Sequence, residues 1–201
     1  MNETKVKTVF LISGLRLNVT TTHEKYRPLS EGLNQKGYKV VPVDINWKHK
    51  SVSQFVAEFK NIYRANSSQY NIVVGNSFGA VVAFVSAADL KPDLVILASL
   101  SPYFKEDISV EEGYKRGLRF GTKRLKDMMN YSAKAVAKNI NATEVYTKLL
   151  YGELEKQTVP YLVSRVKKTA NDLEREELIE VKAAPHSMSD PVYIQAIIDL
   201  L

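Results

Sequence analysis

The sequence predicts an α/β fold: a three-layer α/β/α sandwich around a mostly parallel six-stranded sheet, with one helical insertion. Three observations carry this. Short β-branched runs alternate with longer amphipathic patterns through the first half. The first run, Val6-Lys7-Thr8-Val9-Phe10-Leu11-Ile12, is apolar almost throughout, as a strand covered on both faces must be. Nearly every connection is long enough for a helix, which favours parallel over hairpin pairing.

In order, the first strand ends at Ser13-Gly14, and residues 24–36 repeat apolar side chains at helical spacing up to Gly37, a C-terminal cap. Residues 38–45 form the second strand. Ser51 opens a helix to about residue 66, with Val52, Phe55, Val56, Phe59 and Ile62 on one face. Residues 70–75 form the third strand, followed at once by Ser77 and a small-residue helix over 80–89. Pro92 precedes the fourth strand at 94–98. The segment 105–156 breaks the rhythm and reads as a helical, lid-like insertion without a strand. Alternation resumes with a strand at 159–163, a short helix near 171–177 and a strand at 178–181. Asp190-Pro191 starts the last helix, with proline in the first turn, where it is tolerated, and Asp190 as its cap.

The 201 residues suit a single domain, 1–201. Hydrophobic residues at 45% and charged residues at 25% place the chain among ordinary globular proteins and argue against disorder. There is no cysteine, which excludes thiol catalysis, thiolate metal sites and disulfides. The polar start of the chain and the shortness of every apolar run predict a soluble, cytoplasmic protein with no transmembrane segment. The net charge of +6 is concentrated between Lys115 and Lys138, where eight basic residues meet one acid, Asp127. That suggests an anionic partner, but no nucleic-acid-binding motif accompanies it.

The run Gly75-Asn76-Ser77-Phe78-Gly79 carries the chemistry. A chain turning sharply from a buried strand into a buried helix holds the central serine strained, with its hydroxyl exposed. The Phe78 amide then sits at a helix N-terminus, where a carbonyl oxyanion develops. The bland alternative is a serine that only caps a helix. A serine hydroxyl needs a base within hydrogen-bonding reach. Of the three histidines, His186 follows the last strand, so a parallel sheet brings it to the same edge as Ser77. His23 and His49 follow the first and second strands and read as surface residues.

With these pieces in place, the sequence resembles the α/β-hydrolase superfamily, in particular its small single-domain serine hydrolases and esterases. The resemblance rests on Phe10-Leu11-Ile12-Ser13-Gly14, the serine turn, Ser101-Pro102 after the fourth strand, and Pro185-His186-Ser187 with Asp190-Pro191 beyond it. It implies a minimal α/β-hydrolase fold and hydrolysis of a small ester or thioester, without cofactor or metal. Ser77 would be the nucleophile, His186 the general base, and the amides of Phe78 and Leu15 the oxyanion hole. Arg16 would lie near an anionic substrate group. The inserted helices would form a lid, with Lys115 and Arg119 selecting an anionic ester and Met128, Met129, Tyr131, Val136 and Ile140 on its inner face.

The resemblance also implies a carboxylate to orient the imidazole, a few residues beyond the strand before the histidine strand. With that strand at 159–163, the position falls on Arg165-Val166-Lys167-Lys168, which is basic. Asp172 is then the leading candidate, with Glu174 and Glu176 beside it, and Glu106 or Asp107 after the fourth strand. The rival reading is a non-catalytic binding or scaffolding protein with a degraded triad.

Overall fold

In the computed structural model, residues 6–15, 24–48, 50–108 and 122–201 are described. His23, His49, Arg16, Lys115, Arg116 and Arg119 lie outside them.

Six strands, β1 (Lys7–Ile12), β2 (Tyr38–Val43), β3 (Tyr70–Asn76), β4 (Leu94–Ala98), β5 (Tyr146–Gly152) and β6 (Glu176–Val181), form one sheet in the order β2-β1-β3-β4-β5-β6. Every neighbouring pair is parallel. Because side chains alternate along a strand, β1 sends Phe10 and Ile12 to one face and Val9 and Leu11 to the other.

The face that holds Phe10 and Ile12 is covered by α2 (Val52–Asn66), α3 (Phe78–Leu90), α5 (Ala133–Asn141) and α7 (Pro160–Asp172). The face that holds Val9 and Leu11 is covered by α1 (Arg27–Gln35) and α8 (Pro191–Asp199). The result is the expected three-layer sandwich. The remaining helices, α4 (Thr122–Met128) and α6 (Glu155–Thr158), are short. Among the described residues no helix is long and apolar enough to cross a membrane.

Three elements differ from the sequence reading, and the first two bear on the site. The fifth strand is Tyr146–Gly152, inside the span expected to be wholly helical, whereas 159–163 opens α7. Strand β5 lacks a β-branched run and carries Lys148 at its centre, so its pattern looks amphipathic. Its polar centre is satisfied in the sheet, where Lys148 pairs with Glu177 on β6 at 3.2 Å. Conversely, Pro160 lies in the first turn of α7, and Leu162, Val163, Val166 and Ala170 repeat at helical, not strand, spacing. The short helix expected near 171–177 is not a separate element, because 171–172 are the last turn of α7 and β6 already begins at Glu176.

The segment 122–141 is fastened to the core. Asp127 of α4 accepts hydrogen bonds from the Ser53 amide (2.7 Å) and hydroxyl (2.9 Å) at the start of α2. Arg124 donates to the carbonyls of Lys50 and Trp47. Helix α5 is the crossover from β4 to β5 and buries Ala133, Ala137 and Ile140, and Met128 is buried just ahead of it. Of the other residues expected on an inner lid face, Met129 is exposed, while Tyr131 and Val136 pack half-buried against the core.

Candidate active site

Strand order reverses between β1 and β3, since β1 continues to β2 on one side while β3 leads to β4 on the other. A crevice opens at such a switch point, beyond the strand C-termini. Gly14 and Leu15 follow β1 there, and Ser77 follows β3.

Ser77 has φ 53° and ψ −112°, a left-handed conformation that a serine adopts only under strain. The turn is held from both sides: the Ser77 amide donates to the Ala98 carbonyl at 2.9 Å, and its carbonyl accepts from the Ser101 amide at 3.3 Å. Gly79 makes the tight entry into α3 possible. A Cβ there would lie 2.9 Å from the Ile12 carbonyl carbon and closer still to the carbonyl oxygens of Ile12 and Ser13. The Phe78 amide lies in the first turn of α3. On the opposite side, a Cβ on Gly14 would sit 3.6 Å from the Ser77 Cβ, so the loop carrying Leu15 runs alongside the serine.

The Ser77 hydroxyl is 3.0 Å from the Ser101 hydroxyl, and among the described residues no hydrogen bond joins Ser77 to His186. The imidazole belongs to the loop between β6 and α8, at the same sheet edge. Its Nδ1 lies 2.5 Å from Oε1 of Glu155, a residue absent from the sequence-based candidates.

Glu155 is fully buried, yet every contact supplies a donor. Its Oε2 accepts from the Gly152 amide at 2.7 Å and from the Ser99 hydroxyl at 2.9 Å. The Ser99 hydroxyl is in turn 3.1 Å from the Tyr193 hydroxyl. A carboxylate only accepts, so the proton between Glu155 and His186 sits on Nδ1, leaving Nε2 unprotonated in the neutral ring. The histidine side chain is 42% exposed while the carboxylate behind it is 0% exposed, an acid hidden behind an accessible base.

The loops carrying these two residues are stitched together. The Glu153 amide donates to the Val181 carbonyl (2.9 Å), the Leu154 amide to the Ala184 carbonyl (3.1 Å), and the Ala183 amide to the Glu153 carboxylate (2.9 Å). Asp190 caps α8, accepting from the Val192 amide at 3.0 Å.

The carboxylates expected to complete the site are elsewhere. A parallel crossover must return the chain to the strand N-termini, and α7 does so, ending at Asp172. Asp172, Glu174 and Glu176 therefore cluster where β6 begins, at the sheet edge opposite His186. The Asp172 carbonyl accepts from the Asn141 side chain at 3.0 Å, and the Glu174 amide donates to the same side chain at 3.1 Å. Asp172 as the orienting acid does not fit this arrangement. Lys134 and Lys138 border a groove shared with Asp172 and Glu174, so the local charge there is mixed.

Asp107, itself partly exposed, forms an ion pair with the buried Arg165. Glu106 accepts from the Ser132 hydroxyl and the Ala133 amide at the start of α5. Partial burial pushes the Glu106 carboxyl up, but these donors, Ser132 first, hold it below its ordinary range. Among the described residues no group of three or more His, Asp or Glu side chains could hold a metal ion.

The architecture recurs in solved structures. An alpha/beta hydrolase enzyme from the metagenome of lagoon sediments at Mar Chica, Morocco, aligns with a TM-score of 0.70 at 17% identity, over 98% of this chain and 90% of its own. Mouse alpha/beta hydrolase domain-containing protein 10 aligns with a TM-score of 0.74 at 16% identity, over 96% and 87%. The chain has the α/β-hydrolase fold. A lipase-esterase related protein from Clostridium acetobutylicum is similar as well, with a TM-score of 0.71 at 14% identity over 96% and 92%. No family model matches the sequence, and no curated protein matches it. At these identities the α/β-hydrolase fold is shared, and the chemistry has to be argued from the site.

Proposed function

We propose that the protein is a serine hydrolase cleaving a small carboxylic ester or thioester, with Ser77 as nucleophile, His186 as general base and Glu155 as the orienting acid. The observation that carries this reading is the buried Glu155 bonded to His186 Nδ1 at the sheet edge that also holds the strained Ser77.

In the cycle, the Ser77 hydroxyl turns from Ser101 to His186. Nε2 takes its proton as Oγ bonds to the acyl carbon, and the amides of Phe78 and Leu15 receive the oxyanion. The C–O or C–S bond to the leaving group breaks as Nε2 returns the proton to it. Water, deprotonated by the same nitrogen, then attacks the acyl carbon and releases the acid and free Ser77. Glu155 keeps the imidazole in its working tautomer and stabilises the imidazolium.

A non-catalytic role drew its support from basic residues at the expected acid position. That support goes, because Arg165 pairs with Asp107 and an acid stands behind His186. The test is labelling with a fluorophosphonate probe. Wild-type protein should label once per chain at Ser77, Ser77→Ala not at all, and His186→Ala much more slowly. Folded wild-type protein that stays unlabelled would refute the proposal.

A further inference from the structure

We propose that Tyr193 and Ser99 form a buried hydroxyl chain that positions the Glu155 carboxylate for His186, making the last helix a working part of the site. The proposal rests on the hydrolase reading above and adds to it two positioning residues.

Proton counting fixes the direction of the chain. The Glu155 Oε2 atom only accepts, so Ser99 spends its single hydroxyl proton on it. The Tyr193 hydroxyl, 3.1 Å from the same Ser99 oxygen, must then be the donor. Burial pushes the Tyr193 phenol far above its usual range, so it keeps that proton through the pH range of interest. The order is Tyr193 to Ser99 to Glu155, and His186 to Glu155 from the other side.

Two further features separate this chain from incidental core packing. Phenylalanine would fill the Tyr193 site equally well, but a fully buried phenol oxygen needs a partner, and Ser99 supplies it. Ser99 has φ 54°, a strained backbone for a non-glycine residue, and its amide is anchored to the Leu150 carbonyl at 2.7 Å. That conformation places the Ser99 hydroxyl between the carboxylate and the phenol.

The surrounding charges are engaged with one another. Lys182 pairs with Glu153 and Glu180, Lys156 pairs with Glu180, and Asp190 caps α8. Glu180 also accepts from Tyr151 at 2.8 Å. Among the described residues, His186 is the only one of these ionisable groups that bonds directly to Glu155. The protonation of the Glu155–His186 pair therefore reports directly on the donors to its carboxylate. Each donor favours the unprotonated pair, so losing one makes the pair easier to protonate, whichever partner holds the proton.

The experiment compares full-length wild type, Tyr193→Phe and Ser99→Ala by two readouts. One is the pH profile of fluorophosphonate labelling at Ser77. The other is the NMR titration of the His186 ring, assigned by its absence from His186→Gln. In both variants the acid limb and the ring titration should move to higher pH by about half a unit to one unit, further for Ser99→Ala, which loses the direct contact. Thermal melts confirm that the variants are folded, and Tyr193→Phe, which removes one oxygen, carries the test if Ser99→Ala is damaged. Profiles and titrations that superimpose on wild type in a folded variant overturn the inference. A shifted ring titration in a chain whose wild type never labels upholds the hydroxyl chain and refutes the hydrolase reading instead.

Discussion

Replacing Gly152 by alanine should separate folding from activity in this protein. Gly152 ends β5, gives its amide to Glu155 and lies under the loop that carries His186. An added Cβ would sit 2.6 Å from the Pro185 carbonyl oxygen and closer still to that of Ala184. Both are backbone atoms, so no rotamer change relieves the collision. Contacts of this kind are essentially never seen below 3.0 Å, so the loop must retreat by at least 0.4 Å at Pro185 and further at Ala184. His186 follows Pro185 directly, and the displacement passes to the imidazole. Misplacing a catalytic group by about 1 Å costs on the order of 100-fold in rate, so Gly152→Ala should lose about 10- to 100-fold. The assay is the rate of fluorophosphonate labelling together with turnover of a chromogenic acetate ester, on protein shown by circular dichroism and thermal melting to be folded. The reasoning fails if the folded variant labels and turns over within about twofold of wild type.

Glu155→Gln, which removes the charge and turns a donor toward groups that already donate, should slow labelling by about a thousandfold or more, whereas Asp172→Asn should stay within twofold; equal effects in the two variants would remove Glu155 from the proposed triad. Asp107→Ala leaves Arg165 buried without its partner and should cost about 3–5 kcal/mol in urea unfolding, with labelling per folded molecule unchanged. Ser101→Ala frees the Ser77 hydroxyl from a bond worth about 1 kcal/mol, so labelling should rise by up to about fivefold; a fall would mean that Ser101 assists the attack.

What could be read from the sequence was whatever is encoded locally. The serine turn is announced by a strand, two glycines at fixed offsets and a helix, all within twenty residues of Ser77. The last loop needs only a strand before it and Asp190-Pro191 after it. Glu155 was lost through a single strand assignment. The rule applied to it, an acid a few residues beyond the strand that precedes the histidine strand, often after a glycine, fits Gly152-Glu153-Leu154-Glu155 once β5 is placed at Tyr146–Gly152. With the strand placed at 159–163, the same rule points instead to Arg165-Val166-Lys167-Lys168 of α7. Pro160 was the available warning, since it opens a helix more readily than it joins a buried strand. Ser99 and Tyr193 carried no comparable signal. They lie 94 residues apart, and only the fold brings a strand-end serine and a helix tyrosine to one carboxylate.

The distribution of backbone strain argues for a site that works over one that has decayed. Among the described residues four non-glycine positions have positive φ: Ser77, Lys91, Ser99 and Ala183. Lys91 caps the C-terminus of α3, a common place for a left-handed residue. The other three gather at the C-terminal edge of the sheet: Ser77 at the elbow, Ser99 on the Glu155 carboxylate, Ala183 at the turn that leads to His186. Each such residue costs on the order of 1 kcal/mol or more and persists only where its surroundings enforce it. A scaffold freed from catalysis would gain stability by relaxing any one of them to glycine or to an ordinary conformation. All three bear on the placement of the same side chains, at the nucleophile's turn, at the serine that holds the acid and at the turn before the base, which is the pattern expected where that placement still matters.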